Sequence, residues 1–266
     1  MILDDYKIVF LKNPKTAGTS LKNHLFNIIP NIRSIDPSND RLQHNLPPII
    51  KKTRSAFTNA YYGDKKFIQP VSYANLEYYI SNIDTAIQEY TSYVVVREPV
   101  DRFMSICRHV RDYGFLIRIL FEDRLDEVSS DEDKSIHKSM MFTTQLFSTF
   151  SQKFQETFNA ITIQEIGERI LDFAFECNTE YSEYLDFVRI PQIYYYNDPK
   201  VNALDYAHLQ KEISLVFEKH NIPYDSTLPK NNISSKLHQD SFSEEFINKI
   251  KKVYAEDVAF YAKISL

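Results

Sequence analysis

Four apolar residues, Ile8-Val9-Phe10-Leu11, lead almost directly into Asn13-Pro14-Lys15-Thr16-Ala17-Gly18-Thr19-Ser20 and then into an amphipathic stretch. That order leaves few folds open. The apolar run is short and β-branched, the length of a buried strand. From Thr19 onward, Leu21, Leu25, Ile28 and Ile29 recur at helical spacing, which predicts a helix with one core-facing stripe. A strand, a small-residue turn and a helix N-terminus form one α/β unit and, at the turn, a cradle for an anion. The first-turn N–H groups and the positive end of the helix dipole converge there. Gly18 permits close backbone approach, Thr19 and Ser20 add hydroxyls, and Lys15 brings a mobile charge to the mouth. The same junction, with Thr or Ser as helix cap, also occurs in α/β proteins that bind nothing there. A nucleoside triphosphate P-loop requires Gly-x-x-x-x-Gly-Lys-Ser/Thr. Lys15 comes before Gly18 rather than after it, so an ordinary ATPase or GTPase is disfavoured.

Exclusions follow from what the chain lacks. Its four glycines, Gly18, Gly63, Gly114 and Gly167, cannot form a Gly-x-Gly-x-x-Gly fingerprint, so a dinucleotide-binding turn or a kinase glycine loop is ruled out. No Cys-x-x-Cys or His-Glu-x-x-His occurs, and no metal is expected. A net charge of −5 argues against a nucleic-acid partner. Cys107 and Cys177 lie far apart in a chain without a secretory signal, which fits a reduced, cytoplasmic compartment. No apolar run reaches the length of a membrane span. With 266 residues and 43% hydrophobic content, a single domain over residues 1–266 is expected.

A second stretch, Tyr93-Val94-Val95-Val96-Arg97-Glu98-Pro99-Val100-Asp101-Arg102-Phe103-Met104-Ser105, repeats the strand-to-helix theme. The run before Arg97 reads as another buried, parallel strand. Pro99 suits a first helical turn and Asp101 its positive end. Val100, Phe103, Met104 and Cys107 form the expected core stripe, while Arg102, Ser105 and His109 share another face. Arg97 at the strand end, with Arg102 and Ser105 on the helix, makes a second anion site at a carboxyl sheet edge, where open α/β sheets bind ligands. The alternative is Arg97 paired with Glu98 or Asp101.

Together, PKTAGTS after the first strand and VVVREPVDRFMS after a later one resemble the carbohydrate sulfotransferases, the heparan and chondroitin group. The resemblance implies an α/β, P-loop-like three-layer fold, with a mostly parallel central sheet flanked by helices. It also implies metal-independent, in-line transfer of a sulfuryl group from PAPS (3′-phosphoadenosine 5′-phosphosulfate) to a hydroxyl of a carbohydrate or similar acceptor. Lys15, Thr16, Ala17, Gly18, Thr19 and Ser20 would cradle the 5′-phosphosulfate, with Lys15 also catalytic. Arg97 and Ser105 would hold the 3′-phosphate. Lys236, in a polar loop from Pro229 to Asp240, would close over the nucleotide. Related enzymes often take the acceptor proton with a histidine or glutamate before the second motif. Phe67 to Tyr73 contains no histidine, so His44 is the expected base, with Glu77 and His109 behind it. A non-catalytic nucleotide-binding protein of the same fold and a small P-loop-like kinase are the alternatives. Arg189 to Ile193 and Tyr254 to Asp257 also resemble later family segments.

Elsewhere, helices are expected over Ile49–Tyr62, with Lys51, Lys52 and Arg54 on a basic face, and over Tyr73–Tyr90, Phe115–Leu125, Ile136–Phe150, Ile163–Phe175, Tyr206–His220 and Ser243–Ile264. Short strands are expected at Phe67–Val71 and Ile193–Tyr196. The acidic stretch from Asp126 to Asp133 reads as a solvated loop.

Overall fold

The computed structural model describes residues 1–11, 13–29, 32–33, 89–112, 117, 120–125, 127–129, 150–172, 191–195, 201–223 and 240–265. The expected elements at 49–62, 67–71 and 73–88 lie outside them, as do His44, Glu77 and Lys236.

Strands β1 (Ile2–Leu3), β2 (Ile8–Leu11), β3 (Ile32–Arg33), β4 (Thr91–Val96) and β5 (Val201–Asp205) form one sheet in the order β3-β1-β2-β4-β5. β2 pairs parallel with β4, from Ile8↔Thr91 to Leu11↔Val94, and β4 pairs parallel with β5, ending at Val96↔Asp205. β1 runs antiparallel to both β2 and β3, so four of the five strands point the same way. The chain has the α/β fold expected of it. β2 keeps its predicted bounds, whereas the two-residue β1 and β3 and the weakly patterned β5 escape a periodicity reading.

Ile8, Val9 and Phe10 of β2 and Tyr93, Val94, Val95 and Val96 of β4 are buried on both faces of the sheet, as continuous apolar runs predict for central parallel strands. Ile8, Phe10, Tyr93, Val95 and Leu204 pack against α1 (Gly18–Ile28), through Leu21 and Leu25, together with Ile213, Val216 and Phe217 further along the chain. A second core joins α2 (Pro99–Asp112), α3 (Glu122–Leu125), α4 (Gln152–Asn159) and α5 (Ile163–Asp172). There α5 crosses α2 at Gly167, where an added Cβ would lie 3.1 Å from the Phe103 ring of α2. α6 (Leu209–Lys219), α7 (Glu244–Val253) and α8 (Ala255–Ile264) complete the described helices.

Two expectations are corrected. The strand expected at Ile193–Tyr196 does not form over its described part: Gln192–Tyr195 is a 3-10 helix, because the Asp257 carboxylate gathers the consecutive N–H groups of Gln192 and Ile193 at 2.7 and 2.9 Å. The last helix is not continuous either. It breaks at Tyr254 (φ −104°, ψ 36°), whose ring is buried against Phe103, while Val253 just before the break is 53% exposed. Among the described residues no helix is long and apolar enough to cross a membrane.

Candidate anion site at the carboxyl edge of the sheet

β2 ends at Leu11, and the chain turns through Asn13 to Ala17 before α1 begins at Gly18. The turn is tight because two of its residues take left-handed backbone: Lys15 at φ 64° and Ala17 at φ 63°. Each is an L-residue in a region that ordinarily costs about 1–2 kcal/mol. Gly18, expected to supply the backbone freedom, is instead the first helical residue. Ala17 is the N-cap and has no side chain to cap α1, so the dipole end of the helix meets the loop without a capping oxygen. Thr16 is 1% exposed and its hydroxyl donates to the Asn13 carbonyl at 2.9 Å. Thr16 therefore holds the turn together through its side chain, and only its backbone remains for an anion. Ser20 is buried in the first turn of α1.

The second loop lies beside the first, because β4 is the parallel neighbour of β2. Arg97 follows Val96, and its guanidinium spans the gap: Nη1 donates to the Lys15 carbonyl at 3.1 Å. Nε and Nη2 donate to Asp101 at 2.6 and 3.0 Å, and the guanidinium stacks 4.3 Å from the Tyr206 ring centre. Arg97 thus makes the carboxylate pair expected as its alternative, while facing the first loop. The Glu98 carboxylate accepts from Asp101 N at 2.6 Å, and so fills the start of α2. Ser105 is buried two turns further along that helix, roughly 9 Å from its first residue at 1.5 Å per residue. Arg102, expected to face an anion, is turned inward and donates from Nε to the Pro14 carbonyl at 3.1 Å.

Behind both loops lies a polar group that sequence reasoning missed. The Gln192 side chain accepts from Asn13 Nδ2 at 2.9 Å and Arg97 N at 3.1 Å, and it donates to Arg97 O at 2.7 Å. Burial pushes the Asp257 carboxyl up, opposed by the Gln192 and Ile193 N–H groups and by the Arg102 charge. On the β5 side, Asp205 accepts from Tyr261 Oη at 2.8 Å and from Ala207 N at 3.0 Å, and its other oxygen is paired with His208 Nδ1 at 2.9 Å. Burial, the Asp205 bond and the nearby carboxylates of Glu98 and Asp101 push the Tyr261 hydroxyl up to about 12, so it remains a donor at neutral pH. Asp112, at the far end of α2, is pushed up by burial despite the nearby charges of Arg111 and Lys15.

A family profile described as the Sulfotransferase family matches residues 1–263, nearly the whole chain and both loops. The chain belongs to the sulfotransferase family. No curated relative and no solved structure matches it. Family membership makes this protein a transferase of sulfuryl groups to a hydroxyl-bearing acceptor. At adjacent strand ends, then, the first loop presents the uncapped N-terminus of α1 and the second presents the Arg97 guanidinium.

Proposed function

We propose that this sulfotransferase takes PAPS as donor and a carbohydrate hydroxyl as acceptor, without a metal. The observation that supports this reading is the bond from Arg97 Nη1 to the Lys15 carbonyl, 3.1 Å across two adjacent loops. It brings a strand-end cation within one side-chain length of an uncapped helix N-terminus. A ligand with anions at both ends suits such a pair, and PAPS, the activated sulfuryl donor, is one. Lys15 to Ser20 would hold its 5′-phosphosulfate, chiefly through backbone N–H groups at the start of α1. Arg97 and Ser105 would hold the 3′-phosphate, and Lys236 would close over the nucleotide.

Lys15 carries the charge that balances the bridging oxygen as its bond to sulfur weakens. This is positioning and electrostatic stabilisation of the kind that dominates phosphoryl transfer. His44 is the residue proposed to take the acceptor proton, and an unperturbed histidine, with a pKa of about 6.5, suits that task.

Thermal unfolding with 3′,5′-ADP, 5′-AMP or ATP with Mg²⁺ tests the reading. A ligand at one hundred times its Kd adds about 2.7 kcal/mol, which for a chain this long is a shift of roughly 5–10 °C. The expected result is a shift with 3′,5′-ADP that Arg97→Ala abolishes. A shift only with ATP and Mg²⁺ overturns it.

A further inference from the structure

We propose that Gln192 is a positioning residue that sets the spacing of the two anion loops, so that one ligand can be held at both ends at once. This rests on the bisphosphate reading above and adds the device that makes it geometrically possible. The parallel ladder between β2 and β4 stops at Leu11↔Val94. Beyond it, Asn13 and Arg97 are where each loop begins, and Gln192 bonds to both. Its amide meets Arg97 twice through the backbone, accepting from N at 3.1 Å and donating to O at 2.7 Å. It therefore acts as a rung where the sheet has none. The accepting oxygen also takes Asn13 Nδ2 at 2.9 Å.

Among the described residues, bonds from β4, from the Arg97 guanidinium and from Arg102 on α2 also reach the first loop, and none of them holds the Arg97 backbone. Asn13 Nδ2 reaches the Val95 carbonyl at a long 3.3 Å. The bond from Arg97 Nη1 to Lys15 O uses the guanidinium that a phosphate would claim. Gln192 holds the backbone of Arg97 and leaves its side chain to the ligand.

The latch is itself held from behind. Gln192 is 0% exposed and Asp257 1% exposed. The Asp257 carboxylate takes the N–H groups of Gln192 and Ile193. Arg102 supplies the facing charge and bonds back to Pro14 in the first loop. Moving Gln192 therefore breaks charge-assisted bonds in a buried setting, where they are strong and costly to leave unmade.

Binding of three nucleotides to the full-length chain tests the idea by calorimetry. 5′-AMP engages the first loop, 3′-AMP the second, and 3′,5′-ADP both. Joining two contacts in one ligand raises affinity only while the two sites keep the matching separation. Gln192→Met retains the volume and removes the amide. It is expected to weaken 3′,5′-ADP by about tenfold or more while either mononucleotide changes by less than about threefold. Gln192→Glu keeps the accepting oxygen and serves as the second variant, with an intermediate loss. In the ligand-free protein, exchange of the Arg97 amide hydrogen should quicken in Gln192→Met while amides in the middle of β4 keep their protection. Equal losses for all three nucleotides, or unchanged Arg97 exchange, overturn the latch. A wild-type chain that binds none of the three sinks the bisphosphate reading and the ligand role built on it. Arg97 exchange then decides separately whether Gln192 ties the loops.

Discussion

The loop after β2 and the loop after β4, the two anion sites proposed above, sit side by side and would receive their anions by opposite means. The first relies on backbone. Its helix has an alanine for a cap, and two left-handed residues bend the chain so that α1 starts at once. The second relies on side chains, and they are already occupied: Glu98 caps the start of α2 and Asp101 holds the Arg97 guanidinium. One loop carries its cost as conformational strain, the other as self-pairing that a ligand must outcompete. Strain is paid once, at folding, whereas self-pairing is met each time a ligand binds.

The largest effect expected from this contrast is on chemistry. Lys15→Met, which removes the mobile charge and leaves the first-loop backbone, should lower the rate of sulfuryl transfer by on the order of 10²–10³. The affinity for 3′,5′-ADP should fall far less, which steady-state kinetics beside calorimetry would show. A proportional loss of both would mean that Lys15 binds rather than stabilises the reacting group.

The strain attributed to the first loop can be tested at Ala17. Ala17→Gly relieves a φ of 63° and should raise stability by about 1 kcal/mol, or roughly 2–4 °C in Tm. Ala17→Val, β-branched in the same region, should lower it. If glycine destabilises, the loop is not strained and the contrast fails.

A smaller effect belongs to the second loop. Asp101→Asn releases Arg97 from a bidentate pair and should tighten 3′,5′-ADP by about two- to fivefold. That is the size expected of a half-exposed ion pair worth less than about 1 kcal/mol. Weaker binding would show instead that Asp101 orients Arg97 for the ligand.

The smallest effect is on pH dependence and sits on the sheet side that carries α1. Burial lowers the pKa of His24, which is stacked on Phe217, and of His220, which is bonded to Tyr93 and lies near the Lys219 charge. A depressed histidine binds its proton more weakly in the folded than in the unfolded chain. Its contribution is complete above the unfolded value of about 6.5 and is lost as pH falls through the folded one. Tm should therefore drop as pH falls below about 6.5, and His24→Gln should flatten part of that slope.

Much of this architecture was legible because it is local. Ile8–Leu11 and the valine run of β4 mark themselves by length and branching, and Pro99 and Asp101 mark the start of α2. Leu21 and Leu25 fall where helical spacing puts them, in the core. Gln192 was not legible as a link between loops. Its partners lie 179 residues before it at Asn13 and 65 after it at Asp257, and no periodicity encodes such a meeting. The family resemblance passes through both segments, but motif similarity does not say that one bonds the other. The 3-10 turn mistaken for a strand has the same origin, since Asp257 dictates it from afar. β5 was missed for another reason: Val201-Asn202-Ala203-Leu204-Asp205 is too polar to read as a strand, and it is completed by its pairing with β4.

Cys107 gives the molecule a built-in clock. It is a free thiol on α2, fully enclosed, and burial pushes its pKa well up, so it is inert while the helix stays docked. In a Cys177→Ser background, the rate at which a thiol reagent captures it counts the openings of the helix that begins two residues after Arg97. A nucleotide that grips Arg97 should slow that clock.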